Sequence, residues 1–102
     1  MIHLTPTERR IVEEILTGLV PHARVVVFGS RVTGKQKPFS DLDLAIDIGE
    51  PLPLDMFARL RSAFSESHLP FGVDLVDIRA VTDEFREVIE KEYEVIQERA
   101  IS

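Results

Sequence analysis

Between Asp41 and Ile48 the chain alternates without a break. Leu42, Leu44, Ile46 and Ile48 fall on one side of an extended strand, and Asp41, Asp43, Ala45 and Asp47 fall on the other. The aliphatic set has to face a core, which leaves the aspartates on an open sheet face. Asp is disfavoured inside strands, so this pattern needs a reason. Two carboxylates at i and i+2 project the same way, roughly 6 to 7 Å apart. At ~6 Å and an effective dielectric near 20, each such pair costs about 3 kcal/mol. A further acidic residue, Asp74, stands inside the apolar run Val73-Asp74-Leu75-Val76. Three carboxylates on one patch call for a compensating charge, and a divalent cation supplies it.

The segments around this strand predict an α+β domain. Thr5-Pro6-Thr7-Glu8 reads as a helix start, with Thr5 as N-cap, Pro6 at the first helical position and Glu8 closing a capping box. Ile11, Val12, Ile15, Leu16 and Leu19 follow at helical spacing until Gly18 and Pro21 end the helix. Arg24 to Phe28 is a β-branched run bounded by Gly29, which predicts a central strand. Beyond the alternating strand, Pro51 and Pro53 lead into a helix with Met56, Phe57, Leu60, Ala63 and Phe64 as its apolar stripe. Phe71 to Ile78 predicts a third strand. Thr82 then caps a last helix whose buried face includes Phe85, Ile89, Tyr93 and Ile96. A helix between Ile48 and Val73 has the length of a crossover, so the second and third strands can run parallel. That arrangement brings Asp74 level with the Asp41 and Asp43 edge. Asp77 is the alternative partner on the same strand, and Asp74 is preferred because apolar residues flank it.

A chain of 102 residues makes one domain, expected to span residues 1–102, with a real core and little left for a second. Its 18 acidic against 12 basic residues give a net charge of −6, which argues against holding nucleic acid through many phosphates. A basic partner surface or a metal-bound nucleotide fits that balance better. No apolar stretch approaches the ~20 residues of a membrane span. Met1 leads straight into a polar, helix-starting segment, so no secretory leader is expected. With no cysteine the chain has neither disulfides nor thiolate metal ligands, and a reducing cytoplasm is the simplest compartment.

The link between the first two strands carries the remaining chemistry. Gly29 permits close approach of a phosphate to the backbone of a strand-to-helix turn, and Ser30 adds a hydroxyl. Arg31, Lys35 and Lys37 lie on the same connection, as outer-phosphate ligands or as solvated loop charges. Asp47 shares the aspartate face but lies farther down the strand, where a surface role is the simpler reading. His3, His22 and His68 have no metal-ligand spacing. An oxygen-only ligand set points to Mg²⁺ or Mn²⁺.

Gly29-Ser30, ten intervening residues and then Asp41-Leu42-Asp43 resemble the signature of the nucleotidyltransferase superfamily related to DNA polymerase β. Within it, the chain is similar to the minimal nucleotidyltransferases. Asp74 stands where that family's third carboxylate is expected, and Phe28, Gly34, Ser40, Leu42, Leu44 and Ile46 match the motif. The resemblance implies a small mixed β-sheet packed on helices, a minimal palm-like core. It implies transfer of a nucleoside monophosphate, AMP by preference, from a nucleoside triphosphate such as ATP to an acceptor hydroxyl. Asp41 and Asp43 would hold two Mg²⁺ ions, with Mn²⁺ as the substitute. Asp74 would complete the acceptor-side ion and help take the hydroxyl proton, and Gly29, Ser30 and Arg31 would bind the nucleotide. Minimal members are paired with small helical HEPN proteins in toxin-antitoxin systems, so the expected acceptor is a hydroxyl on such a toxin. Two other functions remain open: an antitoxin that neutralises its partner by occlusion, and a small-molecule enzyme of the aminoglycoside-modifying type.

Overall fold

In the computed structural model the elements follow in the order α1 (Pro6–Leu19), β1 (Arg24–Phe28), α2 (Ser30–Thr33), β2 (Leu42–Asp47), α3 (Leu54–Ser65), β3 (Val73–Asp77), α4 (Asp83–Lys91) and β4 (Tyr93–Gln97). The structure describes residues 2–99; Met1 and residues 100–102 of the expected 1–102 domain lie outside the described residues. The four strands form one sheet in the order β3-β2-β1-β4. β1 pairs antiparallel with both β2 and β4, and β2 pairs parallel with β3. The expected α+β class and mixed sheet are present.

Local signals account for the elements. Thr5 Oγ1 accepts from the Glu8 amide at 3.1 Å and Glu8 Oε1 accepts from the Thr5 amide at 2.9 Å, closing the capping box that starts α1. Val12 and Leu16 of α1 and Leu60 and Phe64 of α3 are buried, and they cover one face of the sheet together with Val25, Val27, Leu42, Leu44 and Ile46. α3 is the crossover that lets β2 and β3 run parallel. The third strand is shorter than the expected Phe71–Ile78: Phe71 packs in the main core ahead of it, and Ile78, just past its end, donates its amide to Ile46 O and accepts from Arg86 Nη2. Among the described residues no helix is long and apolar enough to cross a membrane.

Two expectations are corrected at the C-terminal end. The last helix stops at Lys91, and Tyr93 and Ile96 belong to β4 rather than to its buried stripe. Positions 85, 89, 93 and 96 do fit a helical period, but β1 would otherwise present an unpaired edge. The Tyr-Glu-Val-Ile-Gln run satisfies that edge by pairing Val95 with Val26 and Tyr93 with Phe28. Nor is the aspartate face of the sheet fully open. α4 lies on it, and Ile89 packs with Val26, Phe28 and Ala45 in a second, smaller core.

This division has a measurable consequence. Ile89 and Ile96 sit in different cores on opposite faces of the sheet. Each Ile→Ala change is expected to cost about 2 to 4 kcal/mol in urea unfolding. The double variant should be additive to within ~0.5 kcal/mol. A coupling well above that would mean the two side chains share one helical stripe.

Candidate active site

Strand register assembles the site. Phe28, the last residue of β1, is the cross-strand partner of Asp43, so the chain leaving β1 at Gly29 emerges beside the Asp43 carboxylate. On the other side of β2, Asp43 is the register partner of Asp74. Paired positions on neighbouring strands project to the same face, so the two carboxylates stand side by side. Asp77 is the partner of Ile46 and therefore lies on the core face. Its Oδ2 accepts from the Leu52 amide at 2.8 Å and its Oδ1 from the Arg79 amide at 3.0 Å, so it tethers loops. Asp41 stands one residue before β2, where the Leu42 amide donates to Gly72 O at 2.9 Å.

Both ends of the aspartate pair press against glycine. Gly29 has φ 77°, a region that disfavours side chains, and a Cβ built on it would overlap Asp43 Oδ2. A Cβ on Gly72 would lie 2.9 Å from Asp41 Oδ1. In the sequence, Gly72 is marked only as a glycine immediately before the strand that carries Asp74. After Gly29 the backbone closes at once into α2, with the Val32 and Thr33 amides donating to Gly29 O and the Gly34 amide to Ser30 O. The amides of Ser30 and Arg31 precede the first of these bonds and have no partner within the helix.

Crowding shows in the electrostatics. Partial burial pushes the Asp43 carboxyl up to about 6, and the nearby charges of Asp74 and Asp41 and a hydrogen bond shared with Asp74 push in the same direction. Asp47, on the same face of β2 but at its far end, behaves oppositely. Burial raises it, but the Arg79 hydrogen bond, the Gly49 amide and the charges of Arg79 and Arg99 outweigh that and hold it below the usual carboxylate range. Arg79 grips it through Nε at 3.0 Å and Nη2 at 3.3 Å. Asp47 is thus a neutralised corner of the sheet, whereas Asp43 has carboxylates for neighbours.

Arg31 departs from the role expected of it. Its side chain is 4% exposed, and its Nε, Nη1 and Nη2 donate to the carbonyls of Ser40, His3 and Pro38. A guanidinium so engaged is not free to reach phosphates. Lys35 and Lys37 are exposed on the loop that follows α2. A groove of about 370 Å³ between α4 and the sheet is lined by Arg24, Ala45, Asp47, Ile89 and Tyr93, toward the Asp47 end of β2. At the other end of β2, Asp41 and Asp74 are exposed and Asp43 is half-buried.

Among the described residues no three acidic or imidazole groups converge as a ready metal cage. Asp43 stands level with Asp74 across the strand pair, while Asp41 rests against Gly72. The donor set nevertheless suits a hard divalent cation, because all its ligands are carboxylate oxygens and their mutual repulsion is what a cation would relieve.

Fold and site together place the chain among known proteins. The family model described as "Polymerase beta, Nucleotidyltransferase" matches residues 12–101, and the chain belongs to that family. The "Probable protein adenylyltransferase MntA" of Haemophilus influenzae is 54% identical over 92 residues, covering 90% of this chain and 81% of the relative. A solved structure described as a minimal nucleotidyltransferase is 34% identical, with a TM-score of 0.68 over 86% of this chain and 91% of its own. One chain of a solved structure described as the tri-AMPylated HEPN toxin of Shewanella oneidensis in complex with an MNT antitoxin matches with a TM-score of 0.67 at 21% identity, covering 88% of this chain and 69% of that one. The last likeness is one of fold. Nucleotidyltransferases of this kind generally work with a divalent metal ion.

The raised Asp43 group sets a pH dependence for the metal-free protein. Because its folded value, about 6, lies above the 3.8 of an ordinary aspartate, the folded state holds the proton more tightly than the unfolded chain between those limits. Its stabilising effect is therefore complete below about pH 4 and lost as the pH rises through about 6. In chelator-treated protein the contribution of Asp43 should raise the thermal midpoint as the pH falls from 7 to 5. Asp43→Asn should flatten that rise, and an equal slope in the variant would show that other groups cause it.

Proposed function

We propose that the protein is a metal-dependent adenylyltransferase that moves AMP from ATP to a hydroxyl on a small helical HEPN-type toxin and thereby acts as its antitoxin in the cytoplasm. The observation that carries this reading is the register that sets Asp43 beside both the Gly29 turn and Asp74. The adenylyltransferase name of the Haemophilus influenzae relative and the AMPylated HEPN toxin bound to the Shewanella oneidensis antitoxin support the nucleotide and the partner.

In this reading Gly29 and Ser30 receive the triphosphate. The missing side chain at Gly29 leaves room for the Asp43 carboxylate against the turn, and the Ser30 hydroxyl and the unpaired first amides of α2 donate to the phosphate oxygens. Asp41, Asp43 and Asp74 would hold two Mg²⁺ ions, for which Mn²⁺ could substitute. Bound there, such ions would supply positive charge to the triphosphate and the departing pyrophosphate and would make the acceptor hydroxyl more acidic. The acceptor oxygen attacks the α-phosphorus, the bond to the bridging oxygen breaks, and pyrophosphate leaves. Asp74 takes the hydroxyl proton. It is exposed on β3, an edge strand of the sheet, where a protein-borne hydroxyl has access. Deprotonation of Asp43 above about pH 6 frees its oxygens for the cation, so metal affinity rises through that range.

The aspartates have no ready cage among the described residues, which favours one competing reading, an antitoxin that works by occlusion alone. One experiment separates the two. The protein is co-expressed with its helical partner, and the intact mass of the partner is measured with and without Mg-ATP. A gain in AMP units that disappears in Asp41→Ala and Asp43→Ala, along with neutralisation of the toxin, is the expected result. Loss of activity should exceed ~100-fold for either substitution. Neutralisation that survives both substitutions, with no mass gain in the wild type, would establish occlusion.

A further inference from the structure

Arg31 is the buried charged residue of the described chain, and every hydrogen-bond acceptor its guanidinium meets there is a main-chain carbonyl. Nε and Nη2 donate to Ser40 O at 3.1 and 2.9 Å, Nη2 also to Pro38 O at 3.3 Å, and Nη1 to His3 O at 3.0 Å. The His3 amide returns a bond to Arg31 O at 2.7 Å. Below the guanidinium lies the Phe71 ring, its centroid 4.0 Å from the Arg31 Cζ.

These contacts converge on one catalytic position. Ser40 is the residue before Asp41, so two N–H groups of Arg31 fix the peptide that carries the Asp41 backbone. Phe71 is the residue before Gly72, against which the Asp41 carboxylate rests. Gly72 O in turn holds the Leu42 amide. Arg31 itself follows Ser30 in the first turn of α2. A single planar group therefore joins the Gly29-Ser30 turn, the peptide entering Asp41 and the wall beside Asp41.

We propose that Arg31 is a positioning residue of the nucleotidyl-transfer site, one that sets where the Asp41 carboxylate stands relative to Asp43 and the phosphate turn without touching the nucleotide. This rests on the functional reading above. Taking a guanidinium out of water with no carboxylate to pair it is costly, and an apolar residue would fill the same core space more simply. What an apolar residue cannot do is hold three carbonyls from two segments in one plane. Lysine cannot do so either, because its ammonium is a point donor without a flat face for Phe71.

The test compares Arg31→Lys, which keeps the charge and loses the fork, with the wild type in three measurements. These are steady-state transfer to the partner, Mn²⁺ binding to the protein alone by electron paramagnetic resonance, and the thermal midpoint. The expected result is a kcat lower by about 100-fold, with KM for ATP changed less than about threefold. Mn²⁺ affinity should fall about tenfold, as for a residue that orients a metal ligand from behind. A raised KM with unchanged kcat would instead make Arg31 a phosphate ligand and overturn the proposal. So would a lowered thermal midpoint with kcat and Mn²⁺ affinity intact. If Arg31→Lys does not fold, Phe71→Leu keeps the hydrogen-bonding fork and removes only the stacked ring. Its Mn²⁺ affinity should fall about threefold, and an unchanged value there would overturn the proposal. A wild type that binds Mn²⁺ but transfers no nucleotide defeats the functional reading, while the Mn²⁺ series still decides the role of Arg31. A wild type that binds no Mn²⁺ overturns both.

Discussion

The structure depends on the burial of one side of β2. Leu42, Leu44 and Ile46 are completely shielded from water, packed beneath α1 and α3. Side chains alternate along a strand, so a slip of one residue would drive Asp43 and Asp47 into that core and lift the aliphatic residues out of it. The register of β2 is thereby fixed against both neighbours. With it are fixed the exit of β1 beside Asp43 and the placing of Asp74 level with Asp43. The apolar face holds the strand, and the polar face inherits its geometry.

Two aspartates on that polar face show how one strand serves two purposes. Asp47 sits among arginines, and its charge is matched within the protein. Asp43 sits among carboxylates, so its charge is unmatched and its proton is held more firmly than usual. Such an imbalance opposes stability in the metal-free protein and favours whatever cation enters. Glycine makes the crowding sterically feasible at Gly29 and Gly72, where backbone and carboxylate approach too closely for a side chain between them. Buried Arg31 then stiffens the loop through which the chain enters Asp41.

Much of this was legible in the residues, and the parts that were not share a cause. The capping box at Thr5, the parallel crossover through α3 and the level placing of Asp74 all follow from patterns a few residues long or from strand period. The extent of the last helix did not follow, because Phe85, Ile89, Tyr93 and Ile96 satisfy a helical period while residues 93–97 also form a good strand. The open edge of β1 decides between these, and that edge exists only once the sheet is assembled. Arg31 beside Ser30 looks like a phosphate ligand for a similar reason. A sequence displays its charge but not the carbonyls of His3, Pro38 and Ser40 that occupy its donors.

Sequence alone determined the class of chemistry: a glycine turn, three aspartates with a strand to carry them, and no thiolate ligand. Those properties are local, set by side-chain identity and by the two-residue period of a strand. Tertiary structure decided which charges are free to act. It paired Asp47 with arginine, left Asp43 with Asp74, turned Asp77 to the core face and committed Arg31 to the backbone. The physical reason is that a charge is defined by its surroundings, and those surroundings are built from segments far apart in the chain.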